Sequence, residues 1–271
     1  MSERPTAIVT GAGSSGPGVG NGRAISTVLA RDGMDLVLLD REEAALEVTA
    51  DAAREHGSHV QTIVGDVTDA DVCRSLVDAA MSTHGRLDVL VNNVGIFGPE
   101  DDLPGVELAS WGRAMHINVT AMALTARFAV PAMASAGGGA IVNLTSIAAL
   151  AGTGGAALFY ATSKGAVLSM TRHLASRYGR DGIRVNCVAP GMVDTPMVAG
   201  RASPEVRERM RVATPLRRTG TAWDVAEAVA FLAGPKATWI SGIVLPVDGG
   251  LMAAVPSTEG GFADELGGGP R

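Results

Sequence analysis

Seven short apolar runs, spaced by stretches of helical periodicity, constrain the fold of this chain more than any other feature. They fall at residues 7–10, 35–39, 60–64, 87–91, 140–144, 183–188 and 242–247. Most are rich in Val, Ile and Leu without polar alternation, as expected of strands covered on both faces. Between them, Ala24, Ile25, Val28 and Leu29 form one helical stripe, with Gly33 as its C-terminal cap. Val72, Cys73, Leu76, Val77 and Ala80 form another, and Thr68 and Asp71 are spaced like a capping box at its start. This alternation predicts the α/β class: one doubly wound domain with a parallel sheet of about seven strands and helices on both faces. The domain is expected to span residues 1–255. A tail follows at 256–271, with five glycines and few apolar residues.

A chain of 271 residues, 46% hydrophobic and 18% charged, can bury a core of that size. Its net charge of −6 and the lack of a Lys/Arg block argue against nucleic acid and acidic membrane surfaces as partners. Cys73 and Cys187 lie far apart and show no metal or redox spacing, which fits a reducing compartment. The N-terminus runs into the first strand with no apolar signal region, and no run reaches the roughly 18 uninterrupted apolar residues of a membrane span. The most apolar helix, near 121–134, is interrupted by Arg127. These features lead to the expectation of a soluble, cytoplasmic protein without a metal.

The stretch TGAGSSGPGVGNGRA, residues 10–24, sits between the first strand and the first helix. Pyrophosphate meets exposed helix N–H groups and the positive end of the helix dipole at that position in dinucleotide-binding folds. Gly11 is read as the tight turn, and Gly20, Asn21 and Gly22 as the opening of the helix, because the apolar stripe begins directly afterwards. Gly16 and Gly18 then belong to extra loop; the opposite register, with those two as the phosphate glycines, is the alternative. Asp40 ends the second strand 18 positions after Gly22, near the ~20-residue distance at which a carboxylate reaches the adenosine ribose hydroxyls. A carboxylate there repels a 2′-phosphate and favours NAD over NADP, whereas the adjacent Arg41 could pair with such a phosphate.

Tyr160 and Lys164 share a helix face at i and i+4. A nearby ammonium lowers a phenol from its reference pKa of about 10 and makes it usable as a general acid or base. In this company the chain resembles the short-chain dehydrogenases/reductases. The matching segments are the glycine loop, Gly65-Asp66-Val67, Asn92-Asn93-Val94-Gly95, Trp111 with Asn118, and Asn143-Leu144-Thr145-Ser146. They continue through Tyr160 with Lys164, Pro190-Gly191 with Thr195, and Val247-Asp248-Gly249-Gly250. The likeness runs in order over about residues 5–252.

The resemblance implies a Rossmann-type oxidoreductase interconverting a secondary alcohol and a ketone with NAD, and it implies roles residue by residue. Tyr160 is the proton donor or acceptor, Lys164 lowers its pKa and bonds the nicotinamide ribose, Ser146 orients the substrate oxygen, and Asn118 holds the water of a proton relay. Asp66 and Val67 become adenine contacts; Asn93 to Gly95 line the cofactor, Pro190 and Gly191 border it, and Val193 with Thr195 hold the carboxamide. The resemblance also implies a homotetramer. An apolar surplus on two helices supports that: Ala121, Met122, Leu124, Phe128 and Val130 on one, Ala166, Val167, Met170 and Leu174 on the other.

Three departures stand out. Gly11 and Gly20 are nine positions apart, five more than the family pattern, so the loop carries an insertion at about 14–19. Ser146 and Tyr160 are 14 apart, one more than usual, which places an extra residue in Gly152-Thr153-Gly154-Gly155 beside the substrate. Val94 replaces the common alanine.

Ile96, Phe97, Leu150, Phe159, Met192, Met197 and Val198 are the expected substrate neighbours. All seven are apolar, and they suggest a small, uncharged, hydrophobic alcohol or ketone. Residues 201–211, with four arginines, read as the solvated face of a short lid helix capped by Ser203. Two rivals share these residues: an NADPH-dependent 3-oxoacyl-thioester reductase, and a non-catalytic dinucleotide-binding regulator.

Overall fold

The computed structural model describes residues 4–98, 103–152, 158–199 and 203–254. Strands β1 (Thr6–Thr10), β2 (Asp35–Asp40), β3 (Val60–Val64), β4 (Val89–Asn92), β5 (Gly139–Leu144) and β6 (Ile183–Pro190) alternate with helices. Two-residue strands β7 (Val193–Asp194) and β8 (Gly220–Thr221) pair with each other, and β9 (Val244–Val247) returns to the main sheet. That sheet has seven strands in the order β3-β2-β1-β4-β5-β6-β9, parallel throughout. The order reverses between β1 and β4. The carboxyl ends of those two strands, Thr10 opposite Asn92, therefore flank the crevice where ligands bind in such sheets.

Helices α1 (Asn21–Arg31), α2 (Glu43–Arg54) and α9 (Ala222–Ala233) cover one face, burying Ile25, Leu29, Leu46 and Val229 against Val9, Leu36 and Leu38. On the other face, α3 (Ala70–Thr83) and α5 (Ala121–Ser135) bury Leu76, Ala129 and Met133 against Ile8, Val37, Leu90 and Ile141. Alternate residues of β1 and β2 thus point into two separate cores, which explains why these runs lack polar alternation. The end of α1 follows from Gly33, whose φ of +91° suits a glycine; Gly33 N bonds Ala30 O and Met34 N bonds Leu29 O, closing a Schellman motif.

Several expectations need correction. The cap of α3 is Asp69, whose side chain accepts from Asp71 N, while the Thr68 hydroxyl instead donates to Asp66. β4 starts at Val89 rather than at 87, although Leu87 is fully buried. β9 starts at Val244 because Gly242, with φ of +83°, cannot lie in a strand. The apolar surplus on two helices is mostly internal: Ala121, Met122, Val130 and Val167 are buried, and Leu124, Phe128 and Leu174 pack half-buried against the core. The large apolar side chains left exposed include Trp223 and Phe231 on α9, then Trp239 and Ile243 before β9. Among the described residues, the helical run Leu108–Ser135 is long and apolar enough to cross a membrane. Here it lies along the sheet as a core element, its Ala126, Ala129 and Met133 buried beneath β4 and β5. The Gly-rich tail and residues 153–155 of the expected substrate loop lie outside the described residues.

Candidate active site

A cavity of about 670 Å³ runs along the carboxyl ends of the strands. At its centre Gly11, with φ of +65°, turns the chain out of β1, and Asn93 fastens that turn by donating from Nδ2 to Gly11 O at 2.8 Å. Gly22 sits one residue inside α1, and a Cβ on it would collide with the Gly11 carbonyl oxygen. The close approach of helix to turn thus requires glycine at 22, while Gly11 is required by its positive φ. Gly20 is the N-cap, so Gly20, Asn21 and Gly22 do open the helix, as the sequence register requires. Gly16 and Gly18 lie in the insertion, facing Pro196 across the cavity mouth.

At one end of the cavity stands Asp40. Its Oδ2 accepts from Gly13 N at 2.9 Å, and its Oδ1 accepts from Arg41 N at 2.7 Å and Glu42 N at 3.2 Å. Gly13, not singled out in the sequence, packs tightly beside this carboxylate: a Cβ on it would lie 3.0 Å from Asp40 Oδ2 and 3.1 Å from Ala45 Cβ. Arg41 points to the Asp66 carboxylate at 3.8 Å. Asp66 also accepts from the Thr68 backbone and hydroxyl, bonds that hold its carboxyl below the usual carboxylate range. Asp66 and Val67 line this end of the cavity, as anticipated.

At the other end, Ser146, Tyr160 and Lys164 meet. Ser146 follows β5, while Tyr160 and Lys164 lie on α6 (Leu158–Tyr178). Lys164 is buried; Nζ donates to Leu144 O at 2.9 Å and sits 5.8 Å from the centre of the Tyr160 ring. Burial lowers its pKa to about 8. Gly95 is what admits the ammonium, since a Cβ there would stand 3.0 Å from Nζ. Burial pushes the Tyr160 phenol up, and its interaction with the Ser146 hydroxyl pulls it partly back. In this state burial therefore dominates the phenol, against the sequence expectation that Lys164 sets its pKa. Phe97 packs against the Tyr160 ring, with centroids 4.7 Å apart and the planes tilted by 44°.

Asn118 lies behind this wall rather than in it. It is fully buried in a π-helical turn (His116–Thr120) between α4 (Leu108–Met115) and α5. Its Oδ1 accepts from Ile96 N at 2.8 Å, and its Nδ2 donates to Ile96 O and Ser163 Oγ. Both ends of the side chain are thus engaged in tying the loop after β4 to α6. The wide turn aims the amide inward, a common use of such bulges.

Pro190, Gly191, Val193 and Thr195 also border the cavity. The Val247-Asp248-Gly249-Gly250 segment supports them. A Cβ on Gly191 would stand 2.6 Å from Asp248 Cβ, and Asp248 accepts from Gly250 N and Met252 N. Of the expected substrate neighbours, Ile96, Phe97, Met192, Met197 and Val198 line the cavity. Leu150 and Phe159 do not. Phe159 is buried with its ring filling the space over Gly98, and Leu150 faces outward, 37% exposed. The sequence reading missed Ile117, Ile147 and Ala148, and it missed Val206 and Met210 of α8 (Pro204–Ala213). The last two stand at i and i+4 within the arginine-rich helix, and that spacing was the available signal. The helix is capped as expected by Ser203, which accepts from Val206 N.

The residues present suit a dinucleotide. A glycine-walled groove, in which a Cβ at Gly22 would collide with backbone and one at Gly13 or Gly95 would crowd the neighbouring side chain, leads from two carboxylates to a buried Lys–Tyr pair. Among the described residues, no cluster of His, Cys, Asp and Glu could hold a metal ion.

Comparison with known proteins agrees. Residues 18–252 match the family model described as enoyl-(acyl carrier protein) reductase. The chain is 41% identical to cis-4-hydroxycyclohexanecarboxylate dehydrogenase of Sinomonas cyclohexanicum, over 91% of this chain and 96% of that protein. It is 39% identical to 2-(R)-hydroxypropyl-CoM dehydrogenase of Xanthobacter autotrophicus, over 91% and 98%. A solved 7α-hydroxysteroid dehydrogenase, complexed with NADH and 7-oxo glycochenodeoxycholic acid, superposes with a TM-score of 0.84 at 34% identity, covering 91% of this chain and 93% of that one. Likeness of this extent makes the chain a member of the short-chain dehydrogenase/reductase family and an oxidoreductase that interconverts a secondary alcohol and a ketone.

Proposed function

We propose that this oxidoreductase uses NAD in preference to NADP and acts on a small secondary alcohol or ketone whose reacting end is apolar. The observation that carries the reading is the convergence of Ser146, Tyr160 and Lys164 at one end of a glycine-walled groove that has Asp40 at its other end. Asp40 already accepts backbone N–H bonds that hold its carboxylate in place, and Arg41 is turned toward Asp66. A 2′-phosphate would meet a fixed negative charge there. The same observation disfavours the NADPH-dependent thioester reductase as the second reading.

When bound, NAD supplies the acceptor or donor of the hydride. The residues that would hold it are Gly11, Gly13, Gly20 and Asn21 at the phosphates, Asp40 at the adenosine ribose, and Lys164 at the nicotinamide ribose. Tyr160 exchanges a proton with the substrate oxygen, donating it in reduction and accepting it in oxidation. Ser146 orients that oxygen beside the phenol. Lys164 supplies positive charge that stabilises the phenolate during oxidation, and burial strengthens this effect by removing water. Ile96, Phe97, Met192 and Met197 exclude water from the reacting carbon. Val206 and Met210 turn the apolar stripe of α8 toward the same space, so this helix acts as a lid.

Free, buried Cys73 and Cys187 fit a reducing cytoplasm. The exposed Trp223, Phe231 and Trp239 favour a homo-oligomer, a tetramer by family resemblance. The test of the function is a screen of cyclic, aromatic and aliphatic secondary alcohols with NAD and with NADP. Oxidation with NAD of at least one class supports it, and a consistent preference for NADP rejects the assignment of Asp40.

A further inference from the structure

We infer that the substrate carries a singly charged oxyanion, a carboxylate or sulfonate, which Arg113 receives beside the catalytic end; this rests on the alcohol–ketone reading above. The cavity continues past Phe97 and Met197 into a second chamber of about 490 Å³, outside the dinucleotide groove. Its walls are Ile96, Phe97 and Met197 on the apolar side and Ser15, Ser110 and Arg113 on the polar side. Arg113, on α4, is the one ionisable side chain among the described residues lining this chamber, and it also lines the main cavity.

Three features set this guanidinium apart. First, the other cationic groups of the main cavity are accounted for: Arg41 faces Asp66, and Lys164 bonds Leu144 O. Arg113, among the described residues, gives no hydrogen bond or ion pair to any group. Second, the chamber is reached past Phe97, whose ring lies against Tyr160. A substrate with its hydroxyl between Ser146 and Tyr160 can therefore lay an apolar body on Phe97 and Met197 and reach Arg113 with its far end. Third, an unpaired guanidinium presents a planar fork of donors that matches carboxylate and sulfonate oxygens bidentately. An apolar body with one anionic end fits the wall chemistry from Tyr160 to Arg113. A wholly uncharged substrate leaves the arginine unused. The substrate class expected from the apolar residues alone is thus amended at one end only.

The test uses the NAD-saturated full chain and non-oxidisable probes of one shape, followed by isothermal titration calorimetry. The probes are cyclohexanecarboxylate, cyclohexanesulfonate and the uncharged cyclohexanecarboxamide. At least one of the two acids should bind about tenfold or more tighter than the amide, the scale of a charge-assisted hydrogen bond at a partly solvated site. The tighter acid identifies the group. Arg113→Gln should remove that advantage without weakening the amide, whereas Arg113→Lys should keep part of it. If neither acid outbinds the amide in the wild-type protein, the inference is overturned while the oxidoreductase reading stands, and this comparison does not depend on any variant folding. An acid preference that survives in folded Arg113→Gln overturns it equally. If NAD itself fails to titrate, the cofactor reading falls and the inference with it.

Discussion

Gly22 lies so close to Gly11 that a side chain on the first residue would run into the carbonyl oxygen of the second, and would stand 2.9 Å from the Asn93 Nδ2 that is hydrogen-bonded to that oxygen. This junction, rather than the number of glycines in the loop, decides which of them matter. Gly22→Val should therefore abolish measurable NAD binding in an equilibrium titration, because the valine must push α1 off the turn. Gly16→Ala should stay within about twofold of wild type. At Gly16 the new methyl would meet only Pro196, at an ordinary 3.5 Å, and φ is not positive. A Gly16→Ala variant more damaged than Gly22→Val would mean that the insertion is the phosphate loop.

The sequence made the strand–helix alternation legible because the inner strands β1, β2, β4, β5 and β6 are covered on both faces, which leaves a nearly unbroken apolar signature. The edge strands β3 and β9 are only half-buried. The glycine register was legible for a related reason: the apolar stripe of α1 begins just after Gly22. Phe159 and Leu150 were misplaced because periodicity tells which face of a helix or turn is buried, not which neighbour fills that face. Phe159 is indeed buried, but over Gly98. Arg113 passed unnoticed because an isolated charge on an exposed helix carries no pattern. Its meaning comes from the chamber that the loop after β4 and α7 (Pro196–Ala199) build around it.

Asp40→Ser should raise the NADP-to-NAD ratio of kcat/KM by about ten- to a hundredfold, the scale of a lost charge-assisted hydrogen bond combined with relieved repulsion. The variant should also unfold more easily, since Gly13, Arg41 and Glu42 each lose an acceptor for a backbone N–H. Steady-state kinetics with both cofactors checks the first effect, and urea unfolding the second.

The acid–base pair has its own pH signature. In free enzyme the phenol of Tyr160 lies above its ordinary value and Lys164 at about 8. Oxidation needs the phenolate together with the ammonium, so kcat/KM for an alcohol should climb nearly tenfold per pH unit and flatten once Lys164 begins to lose its proton. Reduction needs phenol and ammonium together, so kcat/KM for the ketone should be flat below about pH 8 and fall above it. Paired profiles measured between pH 6 and 10 check both limbs. Parallel profiles in the two directions would contradict the assignment.

Away from the site, His84 is buried with Nδ1 3.5 Å from Asp35 Oδ2, and burial lowers its pKa, assisted by His59 and opposed by Asp35. A histidine whose pKa is lower in the folded chain than in the unfolded one is protonated first in the unfolded state. The stability contribution is therefore complete above the unfolded value of about 6.5 and is lost as pH falls below it toward the folded value. The slope is at most about 1.4 kcal/mol per pH unit for one proton. Urea unfolding at pH 7.5 and pH 5.5 should show this loss in the wild-type protein and a smaller one in His84→Gln.

The most direct test of the central claim is Tyr160→Phe, which removes one oxygen and leaves the ring packed against Phe97. With whichever secondary alcohol the wild-type protein turns over, NADH formation is followed at saturating NAD and the NAD affinity of the variant is titrated separately. The account predicts nearly unchanged cofactor affinity and a kcat lower by about 10²–10⁴, the range of a lost general acid–base. A variant that keeps near wild-type kcat would contradict it.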